Sequence, residues 1–546
     1  ICMRRSLPAA AAIAMAAAVT VAVAPASAEG STINSAGYLT SAGKRGVVDL
    51  TASGAKAKVP GDGPIVVSLG DSYISGEAGR WAGNVIKNGD YGVTDALGYT
   101  AYDDVGADEA IKGCHRSRQA EVNFTPAGTT SVNLACSGAT ALSDYSAKSN
   151  TWKPGIDFAQ QKVRSGAVGV GQAQLLKNLA AANPGRIGFI VLSIGGNDFD
   201  FGTIVGTCVE GFIKGGPCSK KKEVTSKVDE PNISKQRDKI AAAIDRLISA
   251  VGDKGAPNWT LMVQDYPSPV ATSSTIRYGE TYNQRWGDGG CPMYNVDLDW
   301  ANDVALTNID RTVREAVDTQ RVDHPTQNIQ FLELKEALKG HRLCEKNVYP
   351  LDQPFAPVWN WRRKGAVDSS EWVQSIRALG QVVHSDIVIW PFKTQESLHP
   401  NYWAQLAYQS CLTQAYGDGT AVIGGTCLYG GTGLDKNGRP RMDLMSFASK
   451  KNPAGTAPGK VRNLTKEKFT RRAFKVRWED PAAVQPGMRF VYRLKTPGRA
   501  WKGWLQAGTS HAIVVGTPQK GVYKVQVAAK WGKERGDGRA LTYRNR

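Results

Sequence analysis

Four residues of this chain, widely separated in sequence, are of the types that acyl transfer requires: Ser72, Gly138, Asn197 and His399. Ser72 lies in Gly70-Asp71-Ser72-Tyr73, directly after the apolar run Ile65-Val66-Val67-Ser68-Leu69. A hydroxyl is a weak nucleophile until a base takes its proton, and imidazole is the side chain best matched to that task near neutral pH. His399, in Glu396-Ser397-Leu398-His399-Pro400-Asn401, is the candidate base. The glycine of Ser137-Gly138-Ala139 leaves a backbone N–H open to a substrate oxygen. The glycines of Ser193-Ile194-Gly195-Gly196-Asn197-Asp198 allow close backbone approach, and Asn197 adds a side-chain N–H. Donors aimed at the point where negative charge develops complete such a site. Each piece alone has a plainer reading. Gly-Asp-Ser after a strand is more often a helix cap than a nucleophile, and the other three read as turns. All four in this order, each at a strand end or helix start, are hard to obtain by chance.

The elements that must position them are short buried strands alternating with amphipathic helices. Apolar runs at 65–69, 131–136, 187–194, 259–264 and 329–334 are strand candidates. Residues 234–252 place Ile240, Ala243, Ile244, Leu247, Ile248 and Val251 on one helical face, and 299–320 do the same with Trp300, Val304, Leu306, Ile309, Val313 and Val317. This alternation predicts an α/β fold: a parallel sheet with helices on both faces, with sites beyond the C-terminal ends of the strands. Helix 402–412 follows His399. An insert over 350–395 carries Phe355, Trp359, Trp361, Trp372, Trp390 and Phe392, either as ordinary packing or as the wall of an acyl pocket.

These blocks resemble the GDSL or SGNH hydrolases, whose name lists the Ser, Gly, Asn and His of four motifs. The segments Cys114-His115-Arg116-Ser117 and Ala135-Cys136-Ser137-Gly138 are most similar to the secreted actinobacterial branch. The likeness spans 64 to about 415, with insertions. It implies a flavodoxin-like sheet, Ser72 as nucleophile, His399 as base, and an oxyanion hole of the Ser72 N–H, the Gly138 N–H and the Asn197 side chain. It also implies an acid three residues before the histidine. That position holds Glu396 rather than Asp. Either Glu396 or a main-chain carbonyl, as in some relatives, would orient His399. Asp71 and Asp198 would fix turns. His115, His324, His341, His384 and His511 read as structural or surface residues.

Residues 1–28 have the form of a signal peptide: Arg4 and Arg5, an apolar stretch, then Ala26-Ser27-Ala28. Residues 29–63 read as a loose arm, 64–446 as the hydrolase domain, 447–458 as a linker, and 459–546 as a small β-sandwich. In that last segment Trp478 with Glu479-Asp480-Pro481, and Tyr523 in a late strand, resemble the fibronectin type III pattern. Beyond Cys2 there are eight cysteines, an even number that suits disulfides in an oxidising compartment. Sequential pairing (Cys114 with Cys136, Cys208 with Cys218, Cys291 with Cys344, Cys411 with Cys427) is the expectation from spacing. No zinc-ligand spacing is present, so no catalytic metal and no cofactor are expected.

The net charge of +18 is concentrated at one end: residues 455–546 hold 21 Lys and Arg against 5 Asp and Glu, or +16. Such a segment suits an anionic wall polymer, glycan or membrane surface, and nucleic acid is not an expected partner outside the cell. The expectation is a secreted, monomeric carboxylic ester hydrolase of esterase, lipase or phospholipase type. The alternatives are a carbohydrate O-acetyl esterase on wall or plant polysaccharide and a non-catalytic surface-binding protein.

Overall fold

The computed structural model describes residues 58–545 apart from 88–89, 104–108, 125, 127, 147–150, 164–167, 378–394, 448–457, 471–472, 480, 482–487, 509–510, 518 and 532–533. The leader, the arm up to Ala57, most of the linker, His384, Trp390 and Phe392 lie outside the described residues.

The five strand candidates join two further strands in one seven-stranded sheet. Its members are β1 (Ile65–Gly70), β2 (Thr130–Asn133), β3 (Ile187–Ser193), β4 (Gly255–Gln264), β5 (Asn328–Glu333), β6 (Gly425–Leu434) and β7 (Pro440–Ser446). Their order is β7-β6-β5-β4-β3-β1-β2, parallel throughout except that β7 returns antiparallel along β6. Val67 stands between Val132 and Ile190, and every residue of β1 is buried. Such a strand has no polar side to show, because helices cover the sheet on both faces.

Those helices include α1 (Ser72–Ser75), α2 (Gln172–Ala182), α3 (Phe201–Lys214), α4 (Asn232–Val251), α5 (Leu306–Asp323) and α6 (Tyr402–Tyr416). α4 buries Ile240, Ala243, Ile244 and Leu247 on the predicted stripe. The run predicted as one helix over 299–320 is instead a short helix (Asn295–Trp300), a wide π-type turn (Ala301–Ala305) and α5. The turn shifts the helical phase: Asn302 is buried and donates to Leu298 O at 2.8 Å and Val270 O at 3.3 Å, whereas Val304 is 38% exposed. A buried amide with two acceptors sets the local winding, as at other single-turn π-bulges.

Beyond the body, eight strands build a separate antiparallel sandwich: β8 (Arg462–Thr470), β9 (Ala473–Glu479), β10 (Arg489–Lys495), β11 (Leu505–Gly508), β12 (Ala512–Gly516), β13 (Gly521–Trp531), β14 (Glu534–Arg535) and β15 (Arg539–Asn545). One sheet is β8-β9-β12; the other is β11-β10-β13-β14, with β15 also on β13. Phe474, Val476, Trp478, Phe490, Tyr523, Val525 and Val527 alternate inward to form its core, as a two-residue period requires.

Candidate active site

The site is assembled at the C-terminal ends of β1, β2 and β3. β1 ends at Gly70, with φ +134°, and a Cβ there would fall 1.9 Å from Ser193 O. The Gln172 amide holds Gly70 at both peptide groups, accepting from its N at 2.8 Å and donating to its O at 2.9 Å. The chain then turns into α1, capped by Asp71, whose carboxylate accepts from Tyr73 N at 3.1 Å. Burial pushes the Asp71 carboxyl up to about 7, against hydrogen bonds from Tyr266 and the Tyr73 amide. Ser72 is the first residue of α1.

His399 reaches Ser72 across 327 positions of sequence, with Nε2 2.7 Å from the Ser72 Oγ. Its loop is held on three sides. Leu398 N donates to Gln374 O at 3.0 Å, Gln374 N donates to His399 O at 3.0 Å, and the Tyr73 hydroxyl donates to Leu398 O at 2.9 Å. Leu398 adopts a left-handed φ of +62°, a conformation that survives where its surroundings over-determine it. Downstream, Asn401 caps α6 by accepting from Trp403 N at 3.0 Å.

The Nδ1 of His399 lies 3.1 Å from the Ser397 carbonyl oxygen. A carbonyl only accepts, so Nδ1 carries the proton and Nε2 is left with its lone pair toward Ser72. The sequence offered Glu396 for this role, and the structure points its carboxylate elsewhere: Oε2 accepts from Trp81 Nε1 at 2.6 Å and Oε1 accepts from the Tyr102 hydroxyl. Glu396 is 1% exposed, and a carboxylate so enclosed must take donors where they are buried with it. The two residues meet through the backbone, where His399 N donates to Glu396 O at 3.1 Å.

The amides of Ser72 and Gly138 find no acceptor among the described residues. Gly138 has φ +78°, and a Cβ there would meet only the Lys153 side chain, at 3.5 Å. Asn197 Nδ2 donates one hydrogen to Ala139 O at 2.9 Å, tying the third strand's loop to the second's. Asp198 accepts from Ala141 N at 2.9 Å in the same tie. Ser72, Gly138, Asn197 and His399 line one cavity of about 650 Å³.

One residue was absent from the sequence reading. Glu77 is fully buried, and its Oε2 lies 3.9 Å from His399 Nε2. Its two oxygens are held by the Ser137 hydroxyl and by His115 Nδ1, the latter at 2.9 Å. Burial pushes Glu77 up, but His399, His115 and the hydrogen bonds from His115 and Ser137 outweigh it and leave the carboxyl below its ordinary value. Burial likewise lowers His115, and the Glu77 bond and charge more than reverse that. His115 is therefore part of the site's support. The Cys114–Cys136 disulfide and the 3.0 Å bond from Ser137 N to Cys114 O fasten its loop to the loop of Gly138.

From Ser72 the cavity runs along an apolar wall that includes Phe201, Val205, Tyr266, Met293, Leu306 and Ile376. Trp359, in the aromatic insert, is 59% exposed, and Trp361 and Trp372 are buried in the body's core; none of the three lines the cavity. The other cysteines pair as Cys208–Cys218, Cys291–Cys344 and Cys411–Cys427. Among the described residues one group brings metal-ligating atoms together: Cys208, Cys218 and Asp297. Its sulfurs are spent on the disulfide, and Asp297 accepts from the amides of Cys218 and Ser219 at 3.1 and 2.9 Å. No helix among the described residues is long and apolar enough to cross a membrane.

No family model matches the chain, and no curated protein sequence matches it. Among solved structures it is similar to an extracellular lipase from Streptomyces rimosus, at 17% identity and a TM-score of 0.33, over 63% of this chain and 94% of that one. A segment covering 16% of the chain is similar to domains d3–d4 of the rat CD45 extracellular region, over 50% of that chain at 19% identity and a TM-score of 0.15.

Proposed function

We propose that this chain is a secreted carboxylic ester hydrolase of the SGNH serine type that works through an acyl-serine intermediate on Ser72. The observation that carries the proposal is the 2.7 Å contact between Ser72 Oγ and His399 Nε2 in the lining of a largely apolar cavity. As Oγ attacks the ester carbonyl carbon, Nε2 takes its proton. The tetrahedral oxyanion is received by the open amides of Ser72 and Gly138 and the second hydrogen of Asn197 Nδ2. The imidazolium then gives its proton to the leaving alkoxide, and the acyl group stays on Oγ. Water, deprotonated by the same Nε2, releases the carboxylic acid and restores the serine. Ser397 O holds the ring in the required tautomer throughout, the part that Asp plays in a triad.

The apolar wall favours a medium or long acyl chain over acetyl. A polysaccharide O-acetyl group would leave most of that surface uncovered. The test is a fluorophosphonate probe followed by a p-nitrophenyl ester series. Labelling of the wild type that is lost in Ser72→Ala, with kcat/KM rising as the acyl chain lengthens, supports the proposal. An unlabelled wild type refutes the hydrolase, and turnover of acetyl esters alone refutes the lipid substrate.

A further inference from the structure

The two sheets of the sandwich turn unlike faces outward. From β9, Lys475 and Arg477 reach the body. Arg477 Nη1 lies 2.6 and 2.8 Å from the two carboxylate oxygens of Glu315 on α5, and Lys475 Nζ lies 3.8 Å from Glu315 Oε2. Glu315 is 6% exposed, so this contact is a closed one. The sandwich docks by the sheet β8-β9-β12, and the outer face of the sheet built on β10 and β13 is on the opposite side.

That face is basic by register. Phe490, Tyr492 and Leu494 of β10 and Tyr523, Val525 and Val527 of β13 pack inward. Alternation then sends Arg489, Val491, Arg493 and Lys495 outward from β10, and Val522, Lys524, Gln526, Ala528 and Lys530 outward from β13; the pair Val491 and Ala528 is buried at the middle of the face, Lys524 is exposed, and the other cations are half-buried around them. Antiparallel pairing sets Arg489 opposite Lys530, and Lys495 opposite Lys524. On the other side of Lys530 stands Arg535 of β14. Like charges directly opposite one another destabilise a sheet, so the face is better satisfied with an anion on it than without. Among the described residues of these strands the one acidic residue is Glu534, which pairs with the inward Trp531.

Tryptophan rings lie among these charges, and that of Trp504 stands between β10 and β14 across the face. The guanidinium groups of Arg493 and Arg535 lie 4.8 and 4.5 Å from the Trp504 ring centroid, and Arg493 lies 4.9 Å from that of Trp501. Next to Trp504 on the edge strand β11, Leu505 is 44% exposed. A sugar-binding face presents aromatic rings free for stacking, whereas the Trp504 ring already carries two guanidinium groups. Arginine and lysine beside interfacial tryptophan and leucine suit a bilayer of anionic phospholipid, with phosphates over the sheet and the β11 edge at the headgroup boundary.

We propose that the outer face of this sheet docks the protein on an anionic phospholipid surface. The test uses the full chain carrying Ser72→Ala, so that no lipid is consumed. It is sedimented with vesicles of phosphatidylcholine alone or mixed with phosphatidylglycerol. Binding is expected only with phosphatidylglycerol, weakening as salt shortens the reach of the charges. Adding K495Q, K524Q and K530Q together is expected to reduce partitioning ~100-fold, at roughly five-fold for each charge removed near a membrane surface. Equal binding to both vesicle types, or full binding by the triple variant, overturns the proposal. So does binding to an anionic polysaccharide such as polygalacturonate with none to vesicles. The assay requires no catalysis, and the same three substitutions in the Ser72 chain are expected to leave hydrolysis of a soluble ester unchanged. Failure of the docking face and failure of the hydrolase therefore register separately.

Discussion

Replacing Glu77 by Gln is the most informative single change in the site. The carboxylate lies 3.9 Å from His399 Nε2. Two opposite unit charges at that separation attract by about 4 kcal/mol at an effective dielectric of ~20. Transfer of the serine proton makes His399 an imidazolium, so this attraction grows on the way to the transition state and the loss falls on kcat more than on KM. Two effects reduce it. The His399 side chain is 14% exposed, so water screens part of the field, and the same carboxylate repels the nearby oxyanion. If half survives, the penalty is about 2 kcal/mol, or ~30-fold in kcat. The assay is steady-state hydrolysis of a soluble p-nitrophenyl ester by Glu77→Gln, beside Ser137→Ala, which frees one Glu77 oxygen without removing the charge. A kcat for folded Glu77→Gln within two-fold of wild type refutes the electrostatic role. Equal losses in the two variants would reduce Glu77 to a tether for the Gly138 loop.

Three further outcomes follow from the same geometry. Asn197→Ala removes the proposed oxyanion donor and the tie to Ala139 O, so kcat is expected to fall by ~10²–10³ with KM little changed, read in the same assay. Glu396→Gln keeps the size of a side chain whose two oxygens accept from Trp81 and Tyr102, while Ser397 O is the acceptor beside His399 Nδ1; a modest loss of Tm and less than ~10-fold in kcat are expected, whereas a loss near 10⁴ would restore it as the triad acid. Burial raises Glu121 to about 8, above its ordinary 4.5, although Gln264 donates to it. The folded chain therefore keeps a proton that the unfolded chain releases, and the associated stability is lost as pH rises from about 4.5 to 8. Glu121→Gln is expected to melt a few degrees above wild type at pH 8 and beside it at pH 4.5 by calorimetry, and a constant offset would refute this.

Much of the frame was legible because a parallel strand buried on both faces has no polar alternative. Ile65–Leu69 and Ile187–Ile194 could be little else, and the glycine ending the first run marks where a side chain must stand clear of the sheet. The hairpin β6–β7 was not legible: β6 contains Gly430, Gly431 and Gly433, pairs with β5 only at Gly425 and Thr426, and shifts register against β7 around the glycines, so it carries little apolar alternation. The break before α5 was missed for a related reason. Val304 continues the apolar period, so periodicity alone extends the helix, while the amide of Asn302 decides the winding through acceptors that only tertiary structure supplies.

The residues that support the proposed reacting pair, Ser72 and His399, are the hardest to find, and the reason is physical. A nucleophile, a base and an oxyanion donor are constrained by chemistry to a few residue types at strand ends, so type and position together single them out. The group that orients an imidazole need only accept a hydrogen bond, and every residue except proline carries both a carbonyl and an amide that can enter such a network. Ser397 O leaves no mark in the sequence as such. Glu77, five residues after Ser72, reads as a surface charge until the fold closes His115, Ser137 and His399 around it. The one available signal was that His115 sits beside Cys114, Ser137 beside Cys136, and spacing paired those two cysteines. Two polar side chains carried to one point by a disulfide need a third group to satisfy them once water is excluded, and a carboxylate on the turn behind the nucleophile can accept from both.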